Sequence, residues 1–208
     1  GTGLPADTVE IFDLDAGRLV HRATLTDPLL VMLNDLVAVG ADRFYVTRTH
    51  QHGPGKLQTL ENWLQLEGGQ VLSYGPGGFR SVVDGLVFPN GINVSHDGRT
   101  VYVAAVTQFA VRVYDRDPAS ESLSLREVIP LGGGPDNIEV AADDTLWIGA
   151  HPKLLRIEAH AEDPAQWSPS MVLHVRPGAG VDEAYLNAGE QLSASSVAAV
   201  QGNRLLIG

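Results

Sequence analysis

Apolar and polar residues alternate with a period of two through most of the chain, the pattern of half-buried β-strands. Four stretches repeat it in one frame: LNDLVAVGADRFYV from Leu33, PNGINVSHDGRTVYV from Pro89, PDNIEVAADDTLWIG from Pro135 and ASSVAAVQGNRLLIG from Ala194. Each opens on a short polar dipeptide (Asn34-Asp35, Asn90-Gly91, Asp136-Asn137, Ser195-Ser196), runs through an apolar strand, turns, and returns in a second strand. From the first polar residue to Tyr45, Tyr102, Trp147 and Leu206 takes 11, 12, 11 and 11 steps. The repeats start 56, 46 and 59 residues apart (34 to 90, 90 to 136, 136 to 195). That spacing accommodates four short strands per unit, the size of a propeller blade, and the period of two excludes helical solenoids.

The intervening segments fit the same plan. TVEIFDLDAGRLVHRATL (8 to 25) reads as a hairpin about an Asp-Ala-Gly turn, and GQVLSY and FRSVVDGL pair around Gly-Pro-Gly-Gly. QFAVRVYDRD and LSLREVIPL supply two further strands, as do KLLRIEA and SMVLHV, and AYLNAGEQL leads into the fourth repeat. The exception is LQTLENWLQLE (57 to 67), which places Leu57, Leu60 and Leu64 on one helical face with Trp63 beside it. The expected fold is an all-β propeller with about four blades present and one short helix near 57–67. The chain opens just before an outer hairpin and stops at the second strand of a blade, so residues 1–208 are expected to form one partial propeller domain.

Composition narrows the function. A net charge of −11 without basic clusters argues against nucleic-acid binding and suits attraction of cations. No cysteine is present, which removes disulfides and thiolate chemistry, and no transmembrane stretch or signal peptide is visible. In a propeller the entrances of the innermost strands converge, so Asn34, Asn90, Asp136 and Asn137 bring amide and carboxylate oxygens to one centre. Calcium takes six to eight such oxygens. Asp35, one residue on, points to the other side of its strand and could serve a second ion. Asn and Asp also form turns before strands, but agreement among three repeats favours the ion. His50 and His52 form an H-x-H that could hold a transition metal if a third ligand joined them. His151 is a candidate general base or a wall residue. His21, His96, His160 and His174 read as surface residues, and the Asn93-Val94-Ser95 sequon falls in an inner strand where modification is not expected. No Ser stands in a G-x-S-x-G elbow, which removes support for a serine hydrolase.

In order, LNDLVAVG with FYVT, GLVFPNGINVS, PDNIEV, WIGAHP and SSVAAVQGNRLLIG resemble the paraoxonase/arylesterase family. The resemblance runs from TVEIF onward and implies a six-bladed propeller with two central calcium ions and lactone or aryl-ester hydrolysis. It implies Asn34, Asn90, Asp136 and Asn137 as ligands of the catalytic calcium and Asp35 as a ligand of the structural one. Phe88 and His151 would line the substrate pocket, His50 would lie near its mouth, and Ser196 would occupy a wall position where the family has Thr. Several departures stand beside this. The family's Glu-Asp pair and proton-transfer histidines have no counterpart here, the closing strand and the disulfide are absent, and Ala150 stands where a Cys is expected.

The resemblance therefore covers about the last three-fifths of the family's length, and the piece itself is expected to be inactive. It implies a small lactone or ester as substrate and slightly favours a secreted or periplasmic location. Lipid contact through 57–67 is weakly implied, although Glu61 and Glu67 without Lys or Arg inside the helix favour a pocket-walling connection. A sugar lactonase or phosphotriesterase of the wider calcium-propeller group is one alternative. A propeller used as an interaction platform is another.

Overall fold

The computed structural model describes residues 7–208, where the period-two segments form antiparallel meanders. A hairpin of β1 (Val9–Asp15) and β2 (Arg18–Leu25) comes first. Three four-stranded sheets follow, each pairing its strands in chain order. They are β3 (Leu33–Gly40), β4 (Arg43–Arg48), β5 (Gly69–Gly75) and β6 (Gly78–Leu86); β7 (Pro89–Val94), β8 (Thr100–Ala105), β9 (Ala110–Arg116) and β10 (Leu123–Pro130); and β11 (Gly134–Val140), β12 (Leu146–His151), β13 (Ser170–Arg176) and β14 (Gly180–Asn187). A hairpin of β15 (Ala198–Gln201) and β16 (Arg204–Ile207) ends the chain. Helix α1 (Lys56–Leu64) lies between β4 and β5, and α2 (Leu154–Glu162) between β12 and β13.

The first strand of each sheet is the inner one. β7 packs beside β3 on one side and β11 on the other, and β11 in turn neighbours β15. This is the radial arrangement of propeller blades, with about four blades' worth of strands among the described residues. Each core lies between two sheets. Tyr45, Val71 and Leu86 of one sheet meet Ile92, Val101, Val103 and Tyr114 of the next. Tyr102, Val111 and Val113 then meet Ile138, Leu146, Ile148 and Leu173. Leu30, Phe44, Val46 and Leu72 receive Val9 and Leu25 of the opening hairpin. Close approach of the inner strands requires glycine at one point: a Cβ on Gly91 would stand 2.3 Å from the Asp136 carbonyl oxygen.

Two expectations change. KLLRIEA, read as a strand, is helical and belongs to α2. Ala159 and Ala161 favour helix, and Pro164 forces Asp163 into an extended conformation (φ −142°) that ends it. The 57–67 helix is real but stops at Leu64, because Gln65 adopts a left-handed φ of 50° and the Leu66 N–H closes back on the Glu61 carbonyl at 3.0 Å. Its leucine face also points outward: Leu57, Leu60, Trp63 and Leu64 are exposed, while Glu61 is 5% exposed. The inward anchor is polar, since Glu61 Oε1 accepts from His52 Nδ1 at 2.7 Å.

Candidate functional site

Strand register aligns the repeats. Leu36 pairs with Val46, Ile92 with Val103, Ile138 with Ile148 and Ala198 with Ile207. Counting back two residues brings Asn34, Asn90, Asp136 and Ser196 to one level. The fourth repeat is thus one residue out of the sequence frame, which had set Ser195 there. Two adjacent serines gave the sequence no means of choosing. Before three of these positions the backbone is left-handed at a residue with a side chain: Met32 (φ 55°), Phe88 (φ 48°) and Ala194 (φ 60°). Such conformations are costly and cluster where a fold fixes a functional geometry.

Hydrogen bonds tie the inner strands at this level. Asp35 Oδ2 accepts the Ile92 N–H at 2.8 Å, and its Oδ1 accepts the Leu36 N–H at 2.8 Å. The Thr47 hydroxyl donates to the Asn90 carbonyl at 2.7 Å. The Asn137 N–H and Nδ2 both donate to the Ser196 carbonyl, at 3.0 and 3.2 Å. Asn93 Nδ2, in the sequon, donates to the Ile138 carbonyl at 2.7 Å and holds β7 to β11. Between these bonds lies a group without one: Asn90 is 9% exposed, and its Oδ1 is buried with no hydrogen-bond partner. A buried amide oxygen left unpaired is destabilising by about 1–3 kcal/mol, so a partner at this oxygen, whether water or an ion, would be stabilising.

Beside it opens a cavity of about 270 Å³. Asn90, Asp136, His151 and Phe88 line it together, with Val106 and Thr107 from the β8–β9 connection, Leu154, Ile157 and Glu158 from α2, and Gln65 after α1. His151 is 6% exposed; its Nε2 donates to Asp136 Oδ2 at 3.0 Å, and its Nδ1 is buried without a partner. Asn34, Asp35, Asn137 and Ser196 lie outside the cavity wall, with Asn34 exposed on the neighbouring inner strand. His50 also stands back: it is 4% exposed, meets Thr49 Oγ1 at 2.8 Å, and packs edge-on against Phe88 with ring centroids 5.1 Å apart. It shares with Phe88 a separate cavity of about 10 Å³. His52 turns to Glu61, so the H-x-H does not act as a pair. Among the described residues no three His, Asp or Glu side chains gather as a metal group. The α2 and β8–β9 wall residues carried no sequence signal, because they sit in connections outside the repeat.

The profile of the Arylesterase family matches residues 5–208. The chain belongs to the arylesterase family. It is 35% identical to serum paraoxonase/arylesterase 1 of Rattus norvegicus over 211 residues, covering 98% of the chain. Against the Homo sapiens protein of that name the identity is 35% over 209 residues and 97% of the chain. In both cases the match spans 58% of the relative's length. Among solved structures, the periplasmic gluconolactonase of Pseudomonas aeruginosa superposes with a TM-score of 0.56 at 16% identity, covering 98% of this chain and 57% of that one. That likeness confirms the propeller fold. In the arylesterase frame, Phe88, Asn90, Asp136 and His151 are the sequence-selected residues that meet around one cavity.

Proposed function

We propose that this arylesterase-family chain is the larger part of a calcium-dependent hydrolase of lactones and aryl esters, folded as one partial propeller domain. The observation that carries the reading is the buried, unpartnered Asn90 Oδ1 beside the Asp136 carboxylate at the edge of a cavity. The donor set fits calcium, which prefers oxygen ligands and tolerates a mixture of amide and carboxylate. Asn34, Asn90, Asp136 and Asn137 would hold the catalytic ion, and Asp35, already bonded to two backbone N–H groups, would hold a second. When bound, the ion supplies Lewis-acid polarisation of the ester carbonyl.

The remaining work falls to side chains in place. His151 Nε2–H fixes the orientation of Asp136 through the 3.0 Å hydrogen bond, as second-sphere partners do for ligating carboxylates. Phe88, Val106, Leu154 and Ile157 bind the apolar part of the substrate and exclude water. Hydrolysis adds water across the acyl–oxygen bond: a new C–O bond forms, the ester C–O bond breaks, and the departing oxygen takes a proton. His151 is the imidazole of the cavity among the described residues and the proton-handling candidate within it. The serum names of the relatives and the periplasmic name of the structural neighbour support a compartment outside the cytoplasm. The exposed leucines and Trp63 of α1 are proposed as a lipid-contacting face.

The test is turnover of aliphatic lactones and phenyl acetate by the natural-length protein, with calcium and after chelation, alongside Asn90→Ala. Calcium-dependent turnover that falls at least about a hundredfold in the variant is expected. Unchanged turnover and calcium affinity in Asn90→Ala would overturn the ligand assignment.

A further inference from the structure

Asn90 is followed by glycine, and no other asparagine of the chain is. A glycine nitrogen is the least shielded backbone nucleophile, because it carries no Cβ, and an asparagine carboxamide before it lies within reach of a five-membered ring. Neither residue is free to change here. Asn90 supplies the buried amide oxygen at the cavity, and a Cβ at Gly91 would collide with the Asp136 carbonyl oxygen. The backbone is also irregular at this point. Pro89 pairs with Ala105 and Ile92 with Val103, so Asn90 and Gly91 together face Ala104 alone, a bulge that interrupts the ladder. Hydrogen bonds grip the chain on either side: the Thr47 hydroxyl donates to the Asn90 carbonyl, and Asp35 Oδ2 accepts the Ile92 N–H. Held in β7 and only 9% exposed, Asn90 is kept from the folded-back geometry that ring closure requires. Its side-chain Oδ1, by contrast, is anchored by no hydrogen bond.

We propose that Asn90–Gly91 is a site of spontaneous deamidation that the bound cation protects, an inference that rests on the ligand assignment above. In the first step the Gly91 nitrogen attacks Asn90 Cγ. A C–N bond forms, the Cγ–Nδ2 bond breaks, and ammonia leaves with the proton of the Gly91 amide. Water then adds to the five-membered imide and opens it at either carbonyl, leaving aspartate or isoaspartate, with nothing oxidised or reduced. Aspartate sets a second carboxylate beside Asp136. Isoaspartate lengthens the main chain by one carbon where the inner strands have no room even for a Cβ, so the opened strand cannot close again. Ring closure needs local opening of β7, and a ligand that binds only the closed form suppresses that opening by mass action. Conversion therefore slows as free calcium rises, by about a hundredfold at a hundred times its Kd.

The experiment incubates the natural-length protein in mildly alkaline buffer across a calcium series, from chelator to saturation. Calorimetry reports calcium affinity and circular dichroism the persistence of the sheets. Trypsin cleaves after Arg80 and Arg99, and mass spectrometry of the released peptide 81–99 compares Asn90 with Asn93, which precedes valine. Conversion at Asn90 should fall inversely with free calcium, Asn93 should stay intact, and converted protein should no longer take up calcium. Asn90→Gln, whose longer side chain must close a six-membered ring, should resist conversion even in chelator. Conversion at Asn90 that ignores calcium while calorimetry shows the ion bound would overturn the inference and leave the calcium reading standing. No ion bound, with equal conversion throughout, would overturn that reading as well. Sheets lost in chelator, with conversion at the rate of a synthetic 81–99 peptide, would replace local opening by global unfolding and overturn the inference.

Discussion

At the scale of single residues, the smallest side chain sets the geometry of the site. A Cβ at Gly91 would meet the Asp136 carbonyl oxygen at 2.3 Å and Asn137 Cα at 2.8 Å, both backbone atoms that cannot rotate away. Gly91→Ala is expected to push β7 off β11, with a loss of about 1–3 kcal/mol in urea unfolding and at least about tenfold in calcium affinity by titration. Gly132, where a Cβ would meet nothing within 4 Å, is the control and should tolerate alanine within about 0.5 kcal/mol. Asn90 and Asp136 were legible because they recur at the head of a repeated strand. Thr107 and the α2 wall residues Leu154 and Ile157 were not, since a cavity position in a connection is known only from the packing around it.

At the scale of elements, the apolar pattern of α1 is inverted and that of α2 is interrupted by an exposed Leu155. The periodicity of α1 locates a helix and gathers its leucines on one face, but that face is exposed and the His52–Glu61 pair holds the polar side inward. In α2 the outward Leu155 breaks the apolar stripe, so KLLRIEA scores equally well as an alternating strand. The strands were readable because one face of each sheet meets another sheet, which enforces a period of two. The consequence is measurable. Leu60→Ser, at a 49% exposed position, should change stability by less than about 0.5 kcal/mol, while Leu72→Ala in the sheet core should cost about 2–5 kcal/mol in chemical denaturation.

At the scale of the molecule, neighbouring sheets are pinned by a buried polar knot as well as by apolar contact. The Tyr45 hydroxyl of β4 donates to Glu121 Oε2 at 3.0 Å, Arg116 of β9 donates to the same carboxylate at 2.8 Å, and Arg43 reaches it at 3.0 Å. Burial pushes the Tyr45 hydroxyl up to about 12. Burial alone would raise Glu121 as well, but its bonds to Arg116, Arg43 and Tyr45 outweigh that and hold it below the ordinary 4.5. Below that value the unfolded chain takes up the proton first, so the stabilisation is full above about pH 4.5 and is lost as pH falls through the folded-state value. Denaturation midpoints measured across that range should fall more steeply for the wild type than for Glu121→Gln.

The connections that wall the cavity enter by one route. Gln65 follows α1 on the path from β4 to β5, Thr107 lies between β8 and β9, and Glu158 rides α2 between β12 and β13. Each is the link from the second strand of a sheet to its third, whereas Asn90 and Asp136 belong to first strands. The spacing between repeats can therefore stretch or contract with the length of these links while the inner oxygens stay level. Descendants of such a chain are free to exchange what the cavity admits, one link at a time, without rebuilding what lies at its floor.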